Sequence, residues 1–137
     1  MSEETPERPT VLVVDDEEDL RDIMRRMLER RGFDILVAGD SESAIATCQD
    51  HQGVIDVLIT DLGLPGASGG ELSRAAIALR PAMSVIYISG LPKDIAVTKG
   101  LIDDDSLLVK KPFTSDLLIE ALRVVIAGKP PPDPGQP

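Results

Sequence analysis

Five residues with charged or hydroxyl side chains each follow a short apolar run, and together they could bind a metal ion or a phosphate. They are Asp15 and Asp16 after Val11–Val14, Asp61 after Val54–Thr60, Ser89 after Ser84–Ile88, and Lys111 after Leu107–Lys110. Two carboxylates about 4 Å apart repel each other by about 4 kcal/mol at an effective dielectric constant near 20. Three carboxylates in one place therefore either raise a pKa or recruit a cation. Because all-oxygen ligands favour a hard, octahedral ion, the predicted metal is Mg²⁺.

Each of these residues also has a purely structural interpretation. The acidic residues 15–19 could stabilise a helix N-terminus, where negative charge is favourable, and Asp61 could belong to a Gly/Pro-rich turn. Ser89 could simply end a strand, and Lys111 could be one more surface lysine. These separate interpretations do not explain why all five residues follow strands while nothing comparable lies at the opposite ends. Their joint placement favours a functional site.

The elements that must position these residues are five apolar, β-rich runs that alternate with five stretches of helical periodicity. The predicted strands are Val11–Val14, Ile35–Ala38, Val54–Thr60, Ser84–Ile88 and Leu107–Lys110. Apolar runs without alternation are typical of strands covered on both faces. Right-handed crossovers between such strands produce an open parallel sheet, in which ligands bind outside the carboxyl ends of the strands.

The helical stretches differ in the strength of their pattern. The first is predicted to bury one apolar face, made of Leu20, Ile23, Met24, Met27 and Leu28. Asp40 and Thr114 are the predicted N-caps of the second and the last helix. The stretch Pro92–Leu101 has only patchy periodicity, so we expect a weak helix there.

Composition narrows the classes of function. The 137 residues are typical of one domain, and 14 basic against 24 acidic residues give a net charge of −10. This balance argues against binding of nucleic acids or anionic membranes. No apolar run approaches the ~20 residues of a membrane span, and the single Cys48 excludes an internal disulfide, so we expect a cytoplasmic protein. We expect a disordered extension over 1–9, a domain over 10–127 and a proline-rich tail over 128–137.

Four motifs in order along the chain resemble the signature of response-regulator receiver domains, the family of CheY-like proteins. They are Val13–Asp16, Asp61–Pro65 followed by Gly69, Tyr87–Gly90, and Lys111–Phe113. The resemblance covers nearly the whole predicted domain. It implies a flavodoxin-like (βα)₅ fold with strand order 2-1-3-4-5 and a switch driven by phosphorylation of an aspartate.

By position in these motifs, Asp61 resembles the phosphoacceptor of the family. Asp16 resembles the direct Mg²⁺ ligand, Asp15 a ligand that acts through water, and Gly63 contributes its backbone carbonyl. The resemblance therefore implies Mg²⁺ as the cofactor, held at Asp15, Asp16, Asp61 and Gly63.

The remaining two positions match the residues that the family uses to bind the phosphoryl group. Ser89 resembles the hydroxyl that binds a phosphoryl oxygen, and Lys111 the lysine that pairs first with the acceptor carboxylate and then with the phosphoryl group. Lys110 competes for the second role, but alternation along the strand directs it to the other face. The resemblance also suggests a cis Lys111–Pro112 peptide bond.

The predicted function is a phosphoacceptor in a two-component phosphorelay, which takes a phosphoryl group on Asp61 from a histidine kinase or a histidine phosphotransfer protein. The only reactions expected are self-catalysed phosphorylation and dephosphorylation of the aspartate. With only a short tail after the last helix, we expect no output domain and signalling through a downstream protein partner. Three alternatives remain: the receiver of a hybrid histidine kinase expressed alone, a phosphohydrolase of the haloacid-dehalogenase kind, and a receiver-like module that never takes phosphate.

One departure from the family pattern concerns signal readout. Many members carry an aromatic residue three positions before the lysine of the last strand, whereas this chain has Leu108. We therefore expect the signal to travel through Leu91–Asp105, which is predicted to be short or irregular as a helix and to shift when Ser89 is drawn toward the phosphoryl group.

Overall fold

A computed structural model of the chain describes residues 8–64 and 68–128 as alternating strands and helices. The elements are β1 (Thr10–Val14), α1 (Glu18–Arg30), β2 (Asp34–Ala38), α2 (Ser41–Asp50), β3 (Val57–Asp61), α3 (Gly69–Leu79), β4 (Ser84–Ser89), α4 (Lys93–Thr98), β5 (Leu107–Lys110) and α5 (Ser115–Ala127). All strand pairs are parallel, and their order is β2-β1-β3-β4-β5. The predicted flavodoxin-like fold is confirmed.

Helices cover both faces of the sheet because successive strand residues point to opposite sides. Val11 and Val13 pack into one core with α1 and α5, whereas Leu12 and Val14 pack into a second core with α2 and α3. A third, smaller cluster lies under α4 and contains Leu62, Tyr87, Ala96 and Ile102. Burial on both faces explains why the strand sequences are apolar without alternation.

Side-chain caps fix where three helices begin. The Asp40 carboxylate accepts the backbone N–H of Ser43 at 2.7 Å, and the Thr114 hydroxyl accepts that of Leu117 at 3.2 Å. Both predicted N-caps are therefore confirmed. At the start of α3, Ser68 and Glu71 form a reciprocal capping box.

Most predicted ends of strands agree with the structure to within one residue, but the start of β3 and the exposure of Ile23 in α1 differ clearly. The third strand begins at Val57 rather than Val54, whose side chain is 68% exposed. The Asp56 carboxylate accepts the backbone N–H of Thr10, and this contact belongs to the connection that leads into the strand. Ile23 was expected in the buried face of α1 but is 59% exposed, because it lies at the margin of that face beside Phe113.

The segment predicted to be a weak helix is short. Helix α4 has six residues, compared with thirteen in α1 and in α5. Of the remaining expectations, those on residues 1–7, on Pro65 and on the tail from residue 129 lie outside the described residues. Within the described ranges, no helix is long and apolar enough to cross a membrane.

Candidate functional site

The parallel register brings the polar strand ends to one edge of the sheet. Asp61 pairs with Ile88, and the following backbone N–H, of Leu62, donates to the Ile88 carbonyl at 3.0 Å. The backbone N–H of Lys111 donates to the Ser89 carbonyl at 2.7 Å. As a result, the ends of β3, β4 and β5 lie side by side, next to the end of β1.

A lysine ammonium joins two of the predicted carboxylates. Lys111 Nζ donates to Asp61 Oδ2 at 2.5 Å and lies 3.7 Å from Asp15 Oδ2. Burial alone would lower the pKa of Lys111, but the hydrogen bond to Asp61 and the fields of Asp61, Asp15 and Glu17 outweigh it, so its pKa is raised. Lys110 is exposed, which agrees with the predicted alternation along β5. The Lys111–Pro112 bond is cis, as predicted.

Asp15 is the most buried charged group at this edge, with 1% of its surface exposed. Its Oδ1 accepts the backbone N–H of Glu17 at 2.8 Å, whereas its Oδ2 has no hydrogen-bond partner. Burial has the largest influence and raises the pKa of this carboxyl. The hydrogen bond from Glu17, the next largest influence, lowers the pKa but does not outweigh burial. An anionic oxygen that is buried without a hydrogen bond is costly and is well suited to bind a cation.

Two contacts that the sequence did not indicate hold this edge in place. Arg21 of α1 donates to the backbone carbonyl of Asp15 at 2.8 Å and so ties the helix to the loop after β1. Gly69 opens α3 against the end of β3, where a Cβ atom would collide with the Asp61 carbonyl oxygen. The motif pattern marked Gly69 but not this reason for it, and no sequence signal marked Arg21.

The oxygen-rich donor set fits Mg²⁺, although the side chains do not close around one point. Asp16 is exposed beside the buried Asp15, and Gly63 donates its N–H to Asp61 Oδ1 at 2.7 Å. Among residues 8–64 and 68–128, no three acidic, histidine or cysteine side chains group tightly enough to hold an ion by themselves. The Lys111 ammonium lies between Asp61 and Asp15 instead. Because Mg²⁺ keeps several water ligands, few protein oxygens suffice for it.

Ser89 is buried at the end of β4, with 6% of its surface exposed. Its Oγ accepts the backbone N–H of Leu91 at 2.9 Å. A serine hydroxyl that accepts one bond still carries a proton, so Ser89 can donate to an oxyanion placed at this edge.

We predict that Asp15→Asn stabilises the protein at pH 7 in the presence of a chelator, because it removes a buried charge whose desolvation outweighs the field of Lys111 and whose Oδ2 accepts no hydrogen bond. A carboxyl with a raised pKa binds more protons folded than unfolded. The free energy of unfolding therefore falls as the pH rises from 3.8 through the raised pKa, and the whole penalty is present above that pKa. The expected gain is about 1–2 kcal/mol in urea unfolding.

The matched control for this stability measurement is Asp50→Asn, on the exposed end of α2, which should change stability by less than about 0.5 kcal/mol. A lower free energy of unfolding for Asp15→Asn than for the unaltered chain at pH 7 would contradict this interpretation, in which the buried Asp15 carboxylate destabilises the protein when no cation is bound.

Comparisons with known proteins agree with this arrangement. Residues 11–123 match the family described as response regulator receiver domain. The chain is 33% identical over 117 residues to the sensory transduction protein RegX3 of Mycolicibacterium smegmatis, which covers 85% of this chain and 50% of RegX3. The chain therefore spans about half the length of that relative.

Solved structures show the same fold. A response regulator receiver protein from Sinorhizobium medicae superposes with a TM-score of 0.78 at 29% identity, covering 90% of this chain and 98% of that one. The receiver domain of the hybrid histidine kinase CckA gives a TM-score of 0.72 at 28% identity, with 85% and 98% covered. The similarity thus extends through the elements that carry the polar edge.

Proposed function

Because this chain belongs to the response regulator receiver domain family of two-component systems, we propose that it accepts a phosphoryl group on Asp61 from a phosphohistidine of a histidine kinase or phosphotransfer protein. The observation that supports this most is the Lys111–Asp61 ion pair beside the Asp15 oxygen that accepts no hydrogen bond. The Asp61 carboxylate has a cationic partner, Lys111, which can stay paired with this group after it has become an acyl phosphate. The Asp15 carboxylate can hold a metal ion.

In the proposed reaction, a carboxylate oxygen of Asp61 attacks the phosphorus atom of the phosphohistidine. An O–P bond forms, the P–N bond breaks, and the electron pair of that bond stays on the imidazole of the donor. A carboxylate is a weak nucleophile, so positioning and neutralisation of charge must supply the rate enhancement. The Asp61 side chain is only 13% exposed, which limits competing hydration.

Two side chains of this edge would bind the transferred group. Lys111 neutralises part of the charge that leaves the carboxylate for the phosphoryl oxygens, and the Ser89 hydroxyl donates a hydrogen bond to one of those oxygens. Asp15, Asp16, Asp61 and the Gly63 carbonyl would hold Mg²⁺, which when bound offsets the remaining negative charge. The arrangement requires no side chain that gives or takes a proton.

An apolar groove beside Lys111 would receive the phosphohistidine protein. It is lined by Leu20, Ile23, Met24, Met27, Lys111, Pro112 and Phe113. Lys111 lines this groove and also contacts Asp61, so a protein bound in the groove lies next to the proposed acceptor. An amphipathic helix that carries the phosphohistidine suits such a groove, because apolar side chains on one helix face fill it.

We predict that Ile23→Glu reduces the rate of phosphotransfer from the cognate phosphohistidine protein by roughly tenfold or more, the effect of losing one well-packed interface anchor. Labelling by acetyl phosphate should remain unchanged, because this small donor needs no groove. Rates of labelling with both donors, measured on the same preparation, test the proposal.

The control variant is Val124→Glu, which places the same charge at a similarly exposed apolar position of α5, away from the groove. It should transfer phosphate normally. Equal rates for Ile23→Glu and Val124→Glu would reject the groove as the docking surface. Failure of the unaltered chain to be labelled by either donor would reject the phosphoacceptor function itself.

A further inference from the structure

A buried pair of hydroxyl groups lies beneath α4 and takes no part in the proposed phosphoryl chemistry. Ser73 of α3 and Tyr87 of β4 are 3% and 8% exposed, and their oxygens are 2.6 Å apart. Ser73 Oγ is also 2.9 Å from the Gly70 carbonyl, to which it donates. Because a serine hydroxyl has a single proton, the proton between the two hydroxyls belongs to Tyr87. The bonds therefore run from Tyr87 to Ser73 and from Ser73 to Gly70.

This chain of hydrogen bonds meets the segment after α4 at a close backbone contact. A Cβ atom at Gly70 would lie 2.7 Å from the carbonyl oxygen of Leu101, so the start of α3 packs directly against that segment. The Leu101 N–H in turn donates to the Ala96 carbonyl of α4 at 3.0 Å. The position of α4 is thus linked to the first turn of α3.

The Tyr87 ring connects the same segment to the candidate site. It packs in one cluster with Leu62, which directly follows Asp61, and with Ala96 and Ile102 of the α4 region. Tyr87 also pairs with Leu108 of β5, which packs against this cluster. The aromatic ring in this cluster therefore belongs to a residue of β4, Tyr87, and the hydrogen bond from its hydroxyl to Ser73 fixes the position of the ring.

Movement of Ser89 would act on this cluster through the backbone. Ser89 lies two residues after Tyr87 on β4, so their side chains share one face of the sheet. Its hydroxyl accepts from the N–H of Leu91, so a shift of Ser89 toward a phosphoryl group pulls on the residues that lead into α4. Because α4 rests on the Tyr87 ring through Ala96, α4 cannot move far while that ring is fixed.

We propose that the Tyr87–Ser73 hydrogen bond is a latch, which holds α4 and Leu101 against α3 in the unphosphorylated protein and is broken when phosphorylation of Asp61 draws Ser89 toward the site. This inference rests on the proposed phosphoacceptor function. A bond present in one state only must favour that state, so removing it shifts the equilibrium toward the other.

Binding of beryllofluoride with Mg²⁺, as a phosphoryl analogue, tests the latch. Tyr87→Phe keeps the ring but removes the donor, and we expect its affinity for beryllofluoride to rise about fivefold, the factor for one net hydrogen bond. Ser73→Ala should give a similar rise, and the double variant should show no further gain, because both changes remove the same bond. The control Thr47→Ala removes a hydroxyl bond to the Ser43 carbonyl in α2 and should leave the affinity unchanged.

Amide hydrogen exchange of the ligand-free variants provides the second readout. In folded Tyr87→Phe and Ser73→Ala, the amides of α4 and of Leu101 should exchange about fivefold faster than in the unaltered chain. Unchanged affinity together with unchanged exchange would overturn the latch. If the unaltered chain does not bind beryllofluoride, the proposed phosphoacceptor function is rejected, and so is the breaking of the latch by phosphorylation. The exchange rates then decide by themselves whether the Tyr87–Ser73 bond holds α4 in place.

Discussion

Asp61→Asn is expected to abolish phosphorylation by both acetyl phosphate and a phosphohistidine protein while the chain still folds. The amide is nearly isosteric with the carboxylate and can still accept the Gly63 N–H, but its oxygen is no longer an anionic nucleophile. Lys111 retains Asp15 as a charged neighbour at 3.7 Å, so its ammonium is not left without a counter-charge. Labelling that is sensitive to hydroxylamine, as expected of an acyl phosphate, should fall to background.

The control for this experiment is Asp50→Asn, which changes an exposed carboxylate of α2 and should be labelled like the unaltered chain. Circular dichroism of both variants confirms that they fold. Undiminished, hydroxylamine-sensitive labelling of Asp61→Asn would show that another carboxylate is the acceptor.

The second large effect is expected from removal of divalent cations. Two carboxylates, those of Asp15 and Asp61, face the single ammonium of Lys111 at this edge, and a phosphoryl group would add about two more negative charges. We predict that excess chelator lowers the rate of labelling by acetyl phosphate about a hundredfold or more, since metal ions contribute several kcal/mol at such centres. The measurement is the initial rate of labelling with and without chelator.

Restoration by added Mg²⁺ is the control for nonspecific effects of the chelator, and the rate should recover fully. Asp15→Asn should require a higher Mg²⁺ concentration for the same recovery, because it loses the negative charge of the oxygen that accepts no hydrogen bond. A full rate in excess chelator would show that Lys111 and Ser89 suffice to neutralise the transferred group.

The placement of the candidate site could be predicted from sequence because its residues either end a strand or directly follow one. In a parallel sheet, any residue after a strand lies at the same edge, so the apolar runs before Asp61 and Lys111 were enough to bring these two side chains together. The choice of Lys111 over Lys110 followed in the same way from the alternation of side chains along a strand.

Contacts between distant elements could not be predicted in this way. The hydroxyls of Ser73 and Tyr87 meet only because the tertiary fold brings α3 and β4 together, and the sequence around neither residue indicates its partner. Ile23 fits the helical period of α1, but periodicity does not show where the apolar face ends, and that residue lies in an open groove. Val54 belongs to the same apolar run in the sequence as β3, but pairing with the neighbouring strands begins only at Val57.

Chemical mapping of the acyl phosphate tests the central claim most directly. Borohydride reduces a phosphoaspartate to homoserine, and digestion by trypsin places Asp61 in the peptide Gly32–Arg74 together with Asp34, Asp40, Asp50 and Asp56. Fragmentation of this peptide in the mass spectrometer distinguishes the five positions. Homoserine at position 61 after phosphorylation in Mg²⁺, and its absence in chelator, is the predicted result. Homoserine at any other position of the chain would contradict the account.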